Sequence, residues 1–330
     1  MKHHLYHVLS RWEPQKEAHR WLLATIVGTQ GSSYRKSGAM MLFSDQGEQL
    51  GVVSGGCLES DILHQARRCW ETGQARTVTY DMQEEGDIAW RLGIGCGGEV
   101  TLLLQPVTPN NQYLHLEKVL RALQRGESVR YGQALTSPDA EAAVLDTEAP
   151  SDDANWFWQT ITPPPALVIL GGGVDAQPVA RIAGTLGWRV TVNDVRARYA
   201  RAGDFPDVQL VADLAPETLP EADWFTSADA IIVMHHQVHM DASALAAVAQ
   251  VQSGALRYLA LLGPMHRCDQ VLAQASLAEA DLTVPLQAPA GLALGGELPE
   301  SIALSMIAQA HAVLHGQSAA PLKGKPCRSA

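Results

Sequence analysis

The sequence predicts an α/β protein of two domains, a mixed α/β N-terminal domain followed by a C-terminal doubly wound parallel sheet. Three observations predict it. From residue 166 onward short apolar runs alternate with helical stretches, the rhythm of a parallel sheet with crossover helices. Before residue 150 strands and helices are mixed without that alternation. Between them, Thr136 to Pro165 shifts to Asp, Glu, Ala and Ser and closes on Pro163-Pro164-Pro165, a linker composition. The expected bounds are 1–150 for the first domain, 151–165 for a connector, 166–320 for the second domain and 321–330 for a tail. A chain of 330 residues suits two domains of roughly 100–200 residues each.

In the first part, an opening helix is expected over 3–19, then a strand from Trp21 to Val27 and a polar loop, Gly31-Ser32-Ser33-Tyr34-Arg35-Lys36-Ser37-Gly38. A strand over 39–43, the turn Asp45-Gln46-Gly47 and a strand ending at Ser54 follow. A helix is expected over 58–71, strands over 74–81 and 99–105, a helix near 112–125, and strands near 128–134 and 142–146. Trp156, Phe157 and Trp158 interrupt the connector and are expected to dock on a domain. In the second part, the buried-type strand Ala166 to Leu170 runs into Gly171-Gly172-Gly173 and a helix, and Trp188 to Val192 is a strand ending at Asn193-Asp194. Further strands are expected near 209–211, 230–234 and 257–262. A last helix runs from Pro299 to Leu314, with proline at the first position, where helices tolerate it.

Composition excludes several classes. With 46% hydrophobic and 18% charged residues the chain folds rather than staying disordered. A formal net charge of −11 disfavours nonspecific binding to nucleic acid or anionic lipid. No stretch approaches the ~18 apolar residues of a membrane span, and Met1 to Tyr6 lacks the apolar core of a signal peptide, so a cytoplasmic protein is expected. The five cysteines are widely spaced, odd in number and free of CxxC pairs. Neither a disulfide framework nor a zinc knuckle is indicated.

The chemistry concentrates in two Gly-cradled cysteines. Cys57 lies in Ser54-Gly55-Gly56-Cys57-Leu58-Glu59, between a strand and a helix, and Cys96 in Gly95-Cys96-Gly97-Gly98-Glu99. Glycines let a backbone approach a ligand closely, helix N-terminal amides attract anions, and a thiol placed there has its pKa lowered. A shared site is expected, with Arg35 at its rim; the bland alternative is that each cysteine merely fits a tight corner. In the second part, Gly171-x-Gly173-x-x-Ala176 fits the dinucleotide fingerprint, and Asp194 stands at the spacing where a carboxylate accepts from a ribose 2′-hydroxyl. The same glycines also serve a tight βα turn alone. His235-His236-Gln237-Val238-His239-Met240-Asp241 and Gly263-Pro264-Met265-His266-Arg267 follow later strands, so all four segments are expected at one sheet edge. The histidines are candidates for holding a metal or moving a proton, Asp241 is expected to cap the next helix, and Arg267 to be a solvated helix cation.

Three N-terminal segments, Gly31 to Met40, Gly51 to Glu59 and Gly95 to Gly98, resemble the motifs of the XdhC/CoxI family, the maturation factors of xanthine and carbon monoxide dehydrogenases. Gly171–Ala176, Trp188–Arg196, His235–Asp241, Tyr258–Pro264 and Pro299–Ala303 look like that family's Rossmann-type C-terminal domain. The resemblance implies an accessory protein rather than a turnover enzyme. It implies binding of the molybdenum cofactor, as molybdopterin or its dinucleotide form, through Ser32, Arg35, Gly55, Gly56, Cys57, Glu59, Cys96, Gly97 and Gly98. It further implies shielding of the cofactor, exchange of an oxo for a sulfido ligand with a cysteine desulfurase, delivery to a xanthine dehydrogenase-type molybdoenzyme, and a homodimer. The alternative is an NAD(P)-dependent oxidoreductase using Gly171, Gly173, Ala176, Asp194, His235 and His236. The chain departs from the family where a His often follows the glycine turn, here Val174-Asp175-Ala176, and where a hydroxyl residue precedes the last helix, here Leu298.

Overall fold

The computed structural model describes residues 2–56, 58–81, 98–145, 154–251 and 254–322, which divide into two compact units, Met1–Pro164 and Pro165–Ala330. The first unit is built on an antiparallel sheet of β1 (Trp21–Gln30), β2 (Met40–Ser44), β3 (Gln49–Gly51), β4 (Arg76–Asp81) and β5 (Glu99–Val107), in the order β3-β2-β1-β5-β4. Residues 21–26 of central β1 are all buried because both sheet faces are covered. Successive side chains alternate between faces, so Trp21 and Leu23 join one core with Val8, Leu9 and Trp12 of helix α1 (Leu5–Trp12) and Leu120 of α3 (Leu116–Gln124). Leu22, Ala24 and Ile26 join the other core, with Ile62, Ala66 and Cys69 of α2 (Glu59–Thr72). The opening helix is shorter than expected: it gives way after Trp12 to a 3-10 turn containing Pro14, which cannot donate to an α-helical ladder.

A second, three-stranded antiparallel sheet joins β6 (Val129–Ala134) to β7 (Ala142–Leu145) and β8 (Trp156–Ile161), with β6 central. The stretch expected to be a connector therefore contains a strand. Its aromatic residues prefer a pleated, half-buried surface and outweigh the flanking linker composition. Gly132 pairs with Trp158, whose ring occupies the space a side chain at Gly132 would need; an added Cβ there would sit 2.6 Å from Trp158 Cε3. Aromatic cover over a strand glycine of this kind pins register.

The second unit is a parallel sheet of β9 (Ala166–Leu170), β10 (Arg189–Asn193), β11 (Leu210–Ala212), β12 (Ala230–Val233), β13 (Tyr258–Leu261) and β14 (Leu286–Gln287), in the order β11-β10-β9-β12-β13-β14. Its helices are α4 (Ala176–Thr185), the short α5 (Asp223–Thr226), α6 (Val238–Gln250), α7 (Met265–Ala275) and α8 (Pro299–Leu314). Leu167 and Ile169 pack with α4 and α8, whereas Val168 and Leu170 pack with α6 and α7. Strand order reverses between β9 and β12, the switch point at which a doubly wound sheet opens its crevice. The two-residue β14 is too short to have a period in the sequence. Among the described residues no helix is long and apolar enough to cross a membrane.

Candidate functional site

In the first unit the glycine motifs meet at the end of β1. Gly98, which opens β5, backs onto the Gly31-Ser32 loop so closely that an added Cβ would lie 2.5 Å from Gln30 O and 2.9 Å from Ser32 N. Gly55 lies against Tyr34, its would-be Cβ 3.7 Å from the ring. The loop of residues 31–38 is thus the common neighbour of the other two motifs. Ser54, buried at the end of this corner, accepts from the amides of Gly56 at 3.3 Å and Leu58 at 3.2 Å and donates to Glu59 Oε2 at 2.6 Å. This bonding holds Gly55 and Gly56 out in solvent, with Gly56 at φ +102° and nothing within 4 Å of where its Cβ would be. Ser32 and Arg35 are exposed, and Ser33 Oγ is buried without a partner. Glu59, expected to face a ligand, is turned inward, 8% exposed, and supports the corner through Ser54. Cys57, Cys96 and Gly97 lie outside the described residues. Cys69, in contrast, is buried, and burial pushes its thiol up to about 11, so it is no thiolate at neutral pH.

Near the same loop, His4 caps α1 by accepting from the Tyr6 amide at Nδ1, 3.2 Å away. Burial, reinforced by the charges of His7 and Arg35, lowers its pKa to about 4. At the opposite end of the β1–β5 pair, a cleft of about 540 Å³ is lined by Lys16, Arg20, Trp21, Trp70 and Tyr113. Its cations are engaged: Lys16 pairs with Glu117 and lies over Tyr113, and Arg20 pairs with Asp45.

In the second unit, the glycine turn, Asp194, the histidine segment and the Gly263 segment all follow C-terminal ends of parallel strands and share one edge, as expected. Their contacts correct the roles. Asp194 is fully buried, taking Gly172 N–H at 2.9 Å and the Arg196 guanidinium at 2.7 and 2.9 Å, so it offers no free acceptor to a ribose. Burial alone would raise its pKa, but the Arg196 bond and the two backbone amides hold the carboxyl below the usual carboxylate range. Gly171 and Gly172 are packed by the chain itself. A Cβ at Gly171 would lie 2.7 Å from Met234 O, and one at Gly172 would collide with the Tyr199 carbonyl. Ala176 is fully buried at the start of α4.

Asp241 does not cap α6. It sits in the first turn, fully buried, and accepts from His235 N at 2.9 Å and from Arg267 at 2.5 Å, with His235 Nδ1 3.1 Å away. Arg267 is accordingly a buried-pair cation rather than a solvated one. His236 differs from its neighbours: its side chain is 54% exposed, its backbone is left-handed at φ +62°, and Nε2 lies 2.9 Å from Asp175 Oδ2. Its ring also borders Gly173. An imidazole thus reaches the glycine turn from β12, a pairing between distant segments that sequence spacing does not reveal. Among the described residues no group of three or more His, Cys, Asp or Glu side chains converges to hold a metal.

Fold and site define a two-unit α/β protein in which an exposed glycine-loop unit precedes a Rossmann unit with strand order 3-2-1-4-5-6. Residues 167–310 match the XdhC Rossmann domain, and residues 15–81 match the XdhC and CoxI family. The chain is 31% identical over 320 residues to a Bacillus subtilis (strain 168) protein named as a probable xanthine dehydrogenase subunit, covering 90% of this chain and 93% of that one. It is 29% identical over 185 residues to the Escherichia coli (strain K12) "Molybdenum cofactor insertion chaperone PaoD", covering 55% of each. A Bacillus halodurans crystal structure described as a xanthine dehydrogenase superposes with a TM-score of 0.81 at 28% identity, covering 97% of this chain and 98% of that one. The chain belongs to the XdhC and CoxI family.

Proposed function

We propose that this protein carries the molybdenum cofactor as cargo: it shields the cofactor, supports its sulfuration with a cysteine desulfurase, and inserts it into a xanthine dehydrogenase-type molybdoenzyme in the cytoplasm, acting as a homodimer. The observation that carries the proposal is the meeting of the three glycine motifs around residues 31–35. The cargo is an anionic pterin dithiolene phosphate. The exposed backbone at Gly55 and the Arg35 charge are groups that receive such an anion, and Cys57 and Cys96 belong to the same motifs and supply soft sulfur suited to molybdenum. Names of the Bacillus subtilis and Escherichia coli relatives point the same way. An NAD(P)-dependent oxidoreductase is disfavoured by the engaged Asp194.

Anaerobic gel filtration of the full chain with molybdenum cofactor, and in parallel with NAD or NADP, tests the proposal. Co-elution of the pterin is expected, weakened in Cys57→Ala, Cys96→Ala and Arg35→Ala with thermal midpoints close to the parent. Retention of NAD or NADP with no pterin overturns it.

A further inference from the structure

Helix α8 ends in a pair of imidazoles that the glycine loops and the crevice leave unused. His311 and His315 are one helical turn apart and exposed, with ring centres 4.3 Å apart and planes inclined by 60°. His311 also stacks nearly parallel to Trp188, at 6.2 Å and 15°, so the indole steadies its ring. Trp188 immediately precedes β10, which places the pair at the sheet edge opposite the glycine turn.

An ion bound at about 2.0–2.1 Å from a ring nitrogen lies roughly 3 Å from the ring centre. With one nitrogen of each ring turned to a shared ion, rings 4.3 Å apart subtend roughly 90° there, the cis angle of square-planar and octahedral coordination. Imidazole nitrogens suit borderline ions.

We propose that His311 and His315 chelate one divalent transition-metal ion, Cu²⁺, Ni²⁺ or Zn²⁺, with water completing its shell. With two protein ligands the site exchanges its ion readily, unlike a closed structural zinc centre.

Titration of the metal-free full chain with Cu²⁺, followed by tryptophan fluorescence, and with Zn²⁺, followed by calorimetry, tests the site. Copper is expected to quench a saturable component that Trp188→Phe removes, because Trp188 stacks on His311. Zinc affinity is expected to fall at least about tenfold in His311→Ala and in His315→Ala, as for other losses at metal sites, while His64→Ala keeps parental affinity. Zinc should also raise the thermal midpoint of the parent and not of the two variants, whose metal-free midpoints report that they fold. Parental quenching and zinc affinity in both variants, or quenching that survives Trp188→Phe unchanged, overturns the assignment.

Discussion

The two glycine-rich corners of this protein use the same residue for opposite purposes. At Gly55 and Gly56 glycine keeps a backbone open: both are exposed, and the space beside Gly56 is empty. At Gly171 and Gly172 it lets the chain pack on itself, against Met234 and Tyr199, and both glycines are buried. A glycine motif therefore reports a close approach without saying what approaches. At the first corner the neighbour is solvent, where a ligand can bind. In the second it is the protein's own backbone, held by the Asp194–Arg196 and Asp241–Arg267 pairs.

The largest effect that sharpens this contrast is expected at Gly172. Gly172→Ala drives a Cβ into the Tyr199 carbonyl and is expected to destabilise the protein by about 3 kcal/mol or more, read by denaturant unfolding. A cost below about 0.5 kcal/mol, the range of surface changes, would break the comparison.

Next comes the pair behind Gly171. Arg267→Met leaves the fully buried Asp241 carboxylate without its guanidinium and is expected to cost about 3 kcal/mol, the lower range for breaking a buried pair. If Arg267→Met unfolds at the parental denaturant midpoint, the pair does not hold this edge.

Acid probes the first unit. His4 is neutral in the fold with a pKa near 4, whereas an unfolded histidine titrates near 6.5. Between these values the unfolded chain binds a proton that the folded chain refuses, so stability falls as pH drops from about 6.5 toward 4 and no contribution remains to be lost above 6.5. Protonation also removes the Nδ1 lone pair that caps α1. Stability measured across this window is expected to fall less steeply in His4→Asn, by on the order of 1 kcal/mol at pH 5, because asparagine caps without titrating. Identical pH profiles for parent and variant would remove His4 from the account.

The smallest effects separate neighbours at the open corner. Gly56→Ala is expected to cost about 1–2 kcal/mol through its left-handed backbone alone, and Gly55→Ala less than about 0.5 kcal/mol because its Cβ makes only ordinary contact with Tyr34. Equal thermal midpoints for the two variants would show that conformation does not distinguish them.

Much of this architecture was legible in the sequence because its signals are local. Alternating apolar runs and helical stretches set out the parallel sheet, and the strand–glycine–helix succession located the turn at Gly171, since periodicity and backbone freedom act over a few residues. The glycine motifs near Ser32, Gly55 and Gly98 were legible for the same reason. Linker composition misplaced Trp156–Ile161 because its pairing with β6 depends on a glycine more than twenty residues away, Gly132, which makes room for Trp158. Tertiary structure alone decided that Asp194 belongs to Arg196 and Gly172, that Asp241 takes Arg267 instead of capping α6, that Glu59 turns inward to Ser54, and that His236 meets Asp175. A buried carboxylate must find donors wherever the fold brings them. For Asp194 with Gly172, 22 residues apart, and Asp241 with Arg267, 26 apart, that choice depends on which strands are neighbours, and so a residue type and a spacing cannot state it.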